Sequence, residues 1–161
     1  MKRFGVIAAV VLLAIGLAYG LSPRPVLSAI TQIAAPPSRV WAVLVDTGRY
    51  SEWNPTMRLT GSLVPGATIK NVEGRNDDQM TFWPTVLVVR PNQELRWLGH
   101  YKIPGIFDAE HFFLLQPKGG GTVLAQGESF HGLALWFYDV QRLLPNFVEL
   151  NKALKARAQA G

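Results

Sequence analysis

The chain has 161 residues, 48% of them hydrophobic and 17% charged, with 15 Gly, 11 Pro and no Cys. That composition fits one folded domain and excludes a collagen, a coiled coil, a disulfide-stapled miniprotein or a disordered tail. The formal charge of +5 includes Lys2 and Arg3, and the residues from Arg39 to Arg96 that add most of the rest stand singly along the chain. No Lys/Arg cluster offers a phosphate-backbone footprint, so DNA and RNA are excluded as partners.

Phe4 to Leu21 is an 18-residue run without a charge, preceded by Lys2 and Arg3. As a helix it measures about 27 Å, close to the hydrocarbon thickness of a bilayer. Ala18-Tyr19-Gly20 places small residues where a signal peptidase reads, so residues 1–21 are expected to be a signal peptide or an N-terminal membrane anchor. Lys2 and Arg3 against the lone Arg24 favour a cytoplasmic N-terminus. The remainder is then exported, either periplasmic or otherwise extracytoplasmic, or held at the membrane by this segment. Residues 22–28 contain Pro23 and Pro25 and are expected to form an extended linker, leaving 29–161 as the domain.

Val26 to Ala34 is rich in β-branched and aliphatic residues and stops at Pro36-Pro37, which predicts a strand. A short helix opens at Pro37 or Ser38, carries Val40, Trp41, Val43, Leu44 and Val45, and closes at Asp46-Thr47-Gly48. Arg49 to Trp53 predicts a second helical turn, ended by Asn54-Pro55 because the residue before proline avoids the helical region. Six strands then follow at 56–63, 67–73, 79–90, 93–102, 108–117 and 122–131. They are separated by turn-forming stretches, among them Gly74-Arg75-Asn76-Asp77-Asp78, Ile103-Pro104-Gly105 and Lys118-Gly119-Gly120-Gly121. From Trp136 to Ala158 apolar residues recur three and four apart, predicting a long C-terminal helix with a kink or fresh start at Pro145. The fold class is therefore α+β: a curved antiparallel sheet of about seven strands wrapped on a long C-terminal helix, with two short helices after the first strand.

The segments Ile33-Ala34-Ala35-Pro36, Val40 to Asp46 and Tyr50-Ser51-Glu52-Trp53-Asn54-Pro55 resemble the opening signature of the START/Bet v 1-like (SRPBCC) superfamily. His111 to Pro117, Gly120-Gly121-Thr122 and Leu150 to Lys155 are similar to later parts of it. The branch most resembled is the polyketide cyclase/dehydrase and lipid-transport group, and the likeness covers residues 30–158. It implies a helix-grip fold around an apolar cavity. It does not imply one activity, since carriers, cyclases and hydrolases share that fold.

If Lys118 to Gly121 closes a hairpin, Pro117 faces Thr122, and counting back sets His111 opposite Glu128, Phe113 opposite Gln126 and Leu115 opposite Leu124. An imidazole beside a carboxylate on the buried face suits proton transfer or the orienting of a polar ligand end. It equally suits a buried pair that only fixes register. Trp53, Phe82, Trp83, Trp97, Phe113, Phe130, Trp136, Val140 and Phe147 are candidates to line the cavity, with His111, Gln126 and Glu128 at its polar end. The apolar loop Ile103 to Phe107 is a lid, a membrane-touching tip, or a segment folded onto the core. Gly127-Glu128-Ser129-Phe130-His131 departs from a nucleophile elbow in its last residue and its place inside a strand. His100, His111 and His131 show no ligand spacing, so neither a metal nor a cofactor is expected.

The expected function is the binding or carriage of a hydrophobic small molecule, such as a lipid, isoprenoid or polyketide-like compound. The alternative is a cyclase, dehydratase or hydrolase using His111 with Glu128. A third reading is a membrane-tethered partner-binding domain with a filled core.

Overall fold

The computed structural model describes residues 2–75 and 78–160; Asn76 and Asp77, in the middle of the turn predicted at 74–78, lie outside the described residues. Helix α1 (Lys2–Gly20) is apolar on every side and exposes Phe4, Ile7, Leu12, Leu13 and Leu17. Among the described residues no helix is long and apolar enough to cross a membrane. The charge-free helical stretch Phe4 to Gly20 measures about 25 Å against ~30 Å of hydrocarbon.

Strand β1 (Val26–Ile33) starts at the predicted position and takes the last three residues of the linker predicted at 22–28, so the non-strand connection ends at Pro25. Helix α2 (Pro37–Val45) carries a proline in its first turn, where the missing N–H costs nothing. Helix α3 (Tyr50–Trp53) is held from both sides. The buried Tyr50 hydroxyl donates to the Leu44 carbonyl at 2.7 Å, and Asn54 Oδ1 accepts from the backbone N–H groups of Thr56 (3.1 Å) and Met57 (3.0 Å). That side-chain turn re-aims the chain into the sheet.

Seven strands follow, and with β1 they make eight in two sheets among the described residues. β2 (Met57–Thr60), β3 (Lys70–Glu73) and β4 (Met80–Phe82) form one, in the order β2-β3-β4. β5 (Thr85–Arg90), β6 (Glu94–His100), β7 (Asp108–Lys118) and β8 (Gly121–His131) join β1 in the other, in the order β1-β8-β7-β6-β5. The strand predicted at 79–90 is two strands, because Trp83-Pro84 interrupts it and proline cannot donate to the ladder. The sheets remain stitched at this break: Gly66 N–H donates to Val86 O and Val86 N–H to Ala67 O (both 2.8 Å), and Ile69 N–H to Pro84 O at 3.0 Å. The outcome is one strongly bent antiparallel surface.

The β7–β8 hairpin closes on two residues rather than the four predicted. Lys118 pairs with Gly121, and Gly119 and Gly120 have φ of 57° and 80°. Both positions require the left-handed region, as in a type I′ turn, and glycine enters it without a Cβ penalty. The register is the predicted one, with His111 opposite Glu128, Phe113 opposite Gln126 and Leu115 opposite Leu124.

The C-terminal helix is shorter than predicted. Two single 3-10 turns, Leu133–Trp136 and Val140–Leu143, precede α4 (Leu144–Gln159), whose first turn contains Pro145. Helical spacing continues through 136, 140 and 143, but proline starts a helix far better than it continues one. Helix α4 buries Phe147, Leu150, Leu154 and Ala158 in the grip of the large sheet, and Asn151 Nδ2 donates to Ala29 O at 3.0 Å. Leu154 is fully buried within the main cluster around Val40, Leu44, Phe113 and Leu124. Leu154→Ala is expected to cost about 3 kcal/mol of unfolding free energy, read from the urea midpoint, through lost burial and the cavity left behind.

Candidate functional site

Three neighbouring strands set the site. Trp97 on β6 pairs with His111 on β7, which pairs with Glu128 on β8. Side chains in one such row point to the same sheet face. The His111 ring stacks on Trp97 with centroids 4.8 Å apart and planes at 10°, and it meets Phe113 at 4.9 Å and Phe147 edge-on at 5.8 Å. His111 is 1% exposed. It sits in an aromatic box and reaches the cavity only through its partner.

Both ring nitrogens are engaged. His111 Nδ1 lies 2.9 Å from Glu128 Oε1, and Nε2 lies 3.1 Å from Gln126 Nε2. With the amide in this orientation, Gln126 donates to Nε2, and Nδ1–H donates to Glu128. Gln126 Oε1 is buried without a partner. Rotating the amide by half a turn would bring that oxygen onto Nε2 and match an imidazolium instead, so Gln126 accommodates either charge state of His111.

The second carboxylate comes from the small sheet. Asn71 and Glu73, two residues apart on β3, face inward opposite Leu59 and Met57 of β2. Asn71 Nδ2 donates to Glu73 Oε1 at 2.6 Å, while Asn71 Oδ1 is buried and unpaired. Glu73 keeps some accessible surface because it lines the cavity, yet it lies deep in the protein. Burial, and secondarily the negative charge of Glu128, push its carboxyl up to about 7, against the weaker opposing effects of His111 and the Asn71 hydrogen bond.

The cavity measures about 430 Å³. Asn71, Glu73, Phe82, Trp97 and Glu128 lie on its wall at the polar end. Tyr101, Phe107, Ala134, Tyr138 and Leu143 carry it outward between the β6–β7 loop and the 3-10 segment. On this side the cavity wall is therefore made by the segment before α4 and not by α4 itself.

Of the residues expected to line the cavity, Phe82, Trp97 and Glu128 do so. Phe113, Gln126, Phe130, Val140 and Phe147 are buried behind the wall with His111. Trp53 lies on a separate groove of about 370 Å³ with Arg39, Asp46, Arg49 and Arg157. Trp83 is 65% exposed, and Trp136 is 50% exposed with its indole N–H donating to Ala18 O at 3.1 Å. Asn71 and Glu73 were missed; the signal for them is the alternation Asn71-Val72-Glu73, which sends two polar residues to one face. Among the described residues no three His, Asp or Glu side chains converge as a metal site.

The family model described as polyketide cyclase / dehydrase and lipid transport matches residues 25–161. Among curated proteins no sequence matches this chain. Three solved structures share the fold. Protein CV1439 from Chromobacterium violaceum is 16% identical, with a TM-score of 0.69 over 84% of this chain and 98% of that one. Ara h 8.0201 is 12% identical, with a TM-score of 0.64 over 86% of this chain and 100% of that one. The di-domain ARO/CYC BexL is 13% identical, with a TM-score of 0.68 over 86% of this chain and 51% of that one.

Folding takes up a proton at Glu73, because its native carboxyl ionises near pH 7 and a free one near 4.5. Below the lower value both states are protonated, and above the higher both are ionised. Stability must therefore fall as pH rises between the two, by up to about 3 kcal/mol. Glu73→Gln is expected to flatten that profile and to raise the urea midpoint above neutrality.

Proposed function

The chain belongs to the polyketide cyclase/dehydrase and lipid-transport family, and we propose that it binds a hydrophobic small molecule end-on in the cavity between the small sheet and strands β6–β8. The observation that carries this reading is the cavity's polarity. Its wall is mostly aromatic and aliphatic, with His100 beside Tyr101 as the polar side chain toward the mouth, and its two carboxyl groups, Glu73 and Glu128, line the inner part with Asn71. Such a space lies within the ~300–1,000 Å³ of small-molecule sites. Apolar burial at about 25 cal/mol per Å² supplies most of the affinity, before the cost of association. The polar end selects orientation. A protonated Glu73 donates to a carbonyl or hydroxyl oxygen, and a carboxylate oxygen of Glu128 accepts from a hydroxyl. The ligand class is thus a lipid, isoprenoid or polyketide-like molecule bearing one oxygenated end.

A second reading draws on the same groups. Two carboxyls, one held toward its protonated form by burial and the other bonded to an imidazole, are the equipment of general acid–base catalysis. In a cyclase or dehydratase Glu73 would serve as acid and Glu128 as base, with His111 positioning Glu128. The carrier reading is preferred because the imidazole is sealed from the cavity and holds its partner in place.

We also read α1 as a retained membrane anchor and the domain as lying outside the cytoplasm. A helix that exposes apolar side chains on all sides, Phe4 at 80%, needs a cover other than water. Its last turn is bonded into the domain through Tyr19 and Ala18, contacts that removal after Gly20 would discard. A stretch a few ångströms shorter than the hydrocarbon layer is accommodated by local thinning.

Gly99 lines the cavity, and a Cβ there would meet only Pro84 Cβ at 3.7 Å and Ala109 O at 4.0 Å. Gly99→Leu therefore fills the cavity without disturbing the backbone. Native mass spectrometry of the wild-type protein is expected to show a co-purified hydrophobic molecule, and the variant is expected to lose most of that occupancy while keeping its circular dichroism. Equal occupancy in a folded variant would refute the site.

A further inference from the structure

We propose that the end of the domain around the cavity mouth docks on the same bilayer that holds α1, so that the cavity opens to the lipid phase rather than to water. The inference rests on reading α1 as membrane-inserted and adds to it an orientation and a route for the ligand.

Three observations converge at this end. First, among the described residues α1 is attached to the domain there alone. Ala18 and Tyr19 are the two α1 residues whose described side chains are partly covered. The Tyr19 hydroxyl lies 3.0 Å from His131 Nδ1 with the rings 4.3 Å apart, Ala18 O accepts from the Trp136 indole, and the Tyr19 ring packs on Gly105 so closely that a Cβ would come within 3.3 Å of it. The helix therefore meets the domain at the mouth and leads away from it.

Second, the two loops at the mouth leave apolar and aromatic side chains half or more exposed, or close to it. Ile103 and Tyr101 come from the β6–β7 loop; Trp136, Phe137 and Tyr138 come from the segment after β8. Phe137 is 94% exposed, so it contributes nothing to the core. The exposure is not looseness. Leu133 N–H donates to Gly105 O at 3.0 Å, Ala134 N–H to Ile106 O at 2.8 Å and Tyr101 N–H to Phe107 O at 2.9 Å, which fixes both loops as one platform. Gly132, at φ 134°, lies so close to this platform that a Cβ would fall 2.5 Å from Ile106 O, so only glycine lets the two loops meet.

Third, the composition suits an interface of lipid and water. Trp and Tyr are the residues enriched at headgroup depth, where an apolar ring and a polar tip are both satisfied. Lys102 adds a cation beside Tyr101, its Nζ 5.3 Å from the ring, within reach of lipid phosphates. The opposite end of the hairpin, at Lys118-Gly119-Gly120, carries no such surface and stands on the order of 35 Å away along β7. Tyr101 and Tyr138 belong both to the platform and to the cavity wall. Docking the platform would therefore bring the mouth to the depth of the headgroups, and a lipid could enter without its apolar part crossing water.

The absence of cysteine makes the test direct. Single-cysteine variants of the full chain, Leu12→Cys, Lys118→Cys and Phe137→Cys, are labelled with a polarity-sensitive fluorophore and reconstituted into phosphatidylcholine/phosphatidylglycerol vesicles containing a spin-labelled quencher lipid. All three positions are exposed, so the substitutions leave the core intact. The labels at 12 and 137 are expected to shift to the blue and to be quenched at least twice as strongly as the label at 118. Quenching at 12 with 137 no different from 118 overturns docking and leaves the anchor standing. Quenching at neither 12 nor 137 overturns both. A label at 137 that is shielded from an aqueous quencher but untouched by the lipid quencher assigns the platform to a second copy of the chain and overturns docking.

Discussion

A turn of two glycines determines what the concave face of the large sheet carries. Because Gly119 and Gly120 close the β7–β8 hairpin on two residues, every pair from Lys118–Gly121 back to Asp108–His131 is set at once. Alternate residues of a strand face opposite ways, so a slip of one would turn His111, Phe113 and Leu115 to the outside. The register is also secured from within. Leu124 and Phe113 are fully buried against α4, and the His111–Glu128 pair would lose its partner in any other pairing. Apolar packing and polar satisfaction thus select the same arrangement, which is the consistency expected of a sequence with one native state.

The site is built from groups that this packing would otherwise exclude. His111 and Gln126 are tolerated in the interior because each ring nitrogen has a neighbour, and Glu128 is tolerated because it reaches the cavity edge. Glu73 is different: burial and the nearby Glu128 both oppose its charge, and Asn71 offsets only part of that. A protein that needed only stability would place an apolar side chain there, since an apolar residue of similar volume removes the desolvation cost. Two carboxyls facing one void, one of them pushed toward its protonated form by burial, fit the proposed ligand site better than a purely structural role.

How much of this was legible in the sequence follows the separation between interacting residues. The hairpin is local: once the glycine turn is placed, His111 and Glu128 follow by counting. Asn71 and Glu73 reach the same cavity from another sheet, across a fold whose bend arises at Trp83-Pro84, and no sequence period connects β3 with β8. The C-terminal segment misled for a different reason. Trp136, Val140 and Leu143 keep helical spacing, but two 3-10 turns with intervening extended residues satisfy it too, and only the position of Pro145 separates the cases. The aromatic residues divide likewise. Trp97 and Trp136 are equally apolar on paper; one stacks on a buried imidazole and the other bonds to the end of α1, a partner supplied by a segment whose composition sets it apart from the domain.

The join between α1 and the domain limits what an anchored carrier could do. Leu21 to Pro25 are the residues between them, and even fully extended they span at most about 18 Å. Pro23 and Pro25 stiffen that short reach. A domain so held could tilt its mouth off the bilayer by breaking the Tyr19 and Trp136 contacts, but it could not carry a ligand by diffusion to a second membrane. Transfer would then have to end on a partner that comes to the mouth, or in chemistry performed while the ligand is held. The polar end of the cavity is compatible with both, and under the proposed anchoring the short tether would make the acceptor, rather than the carrier, the mobile component.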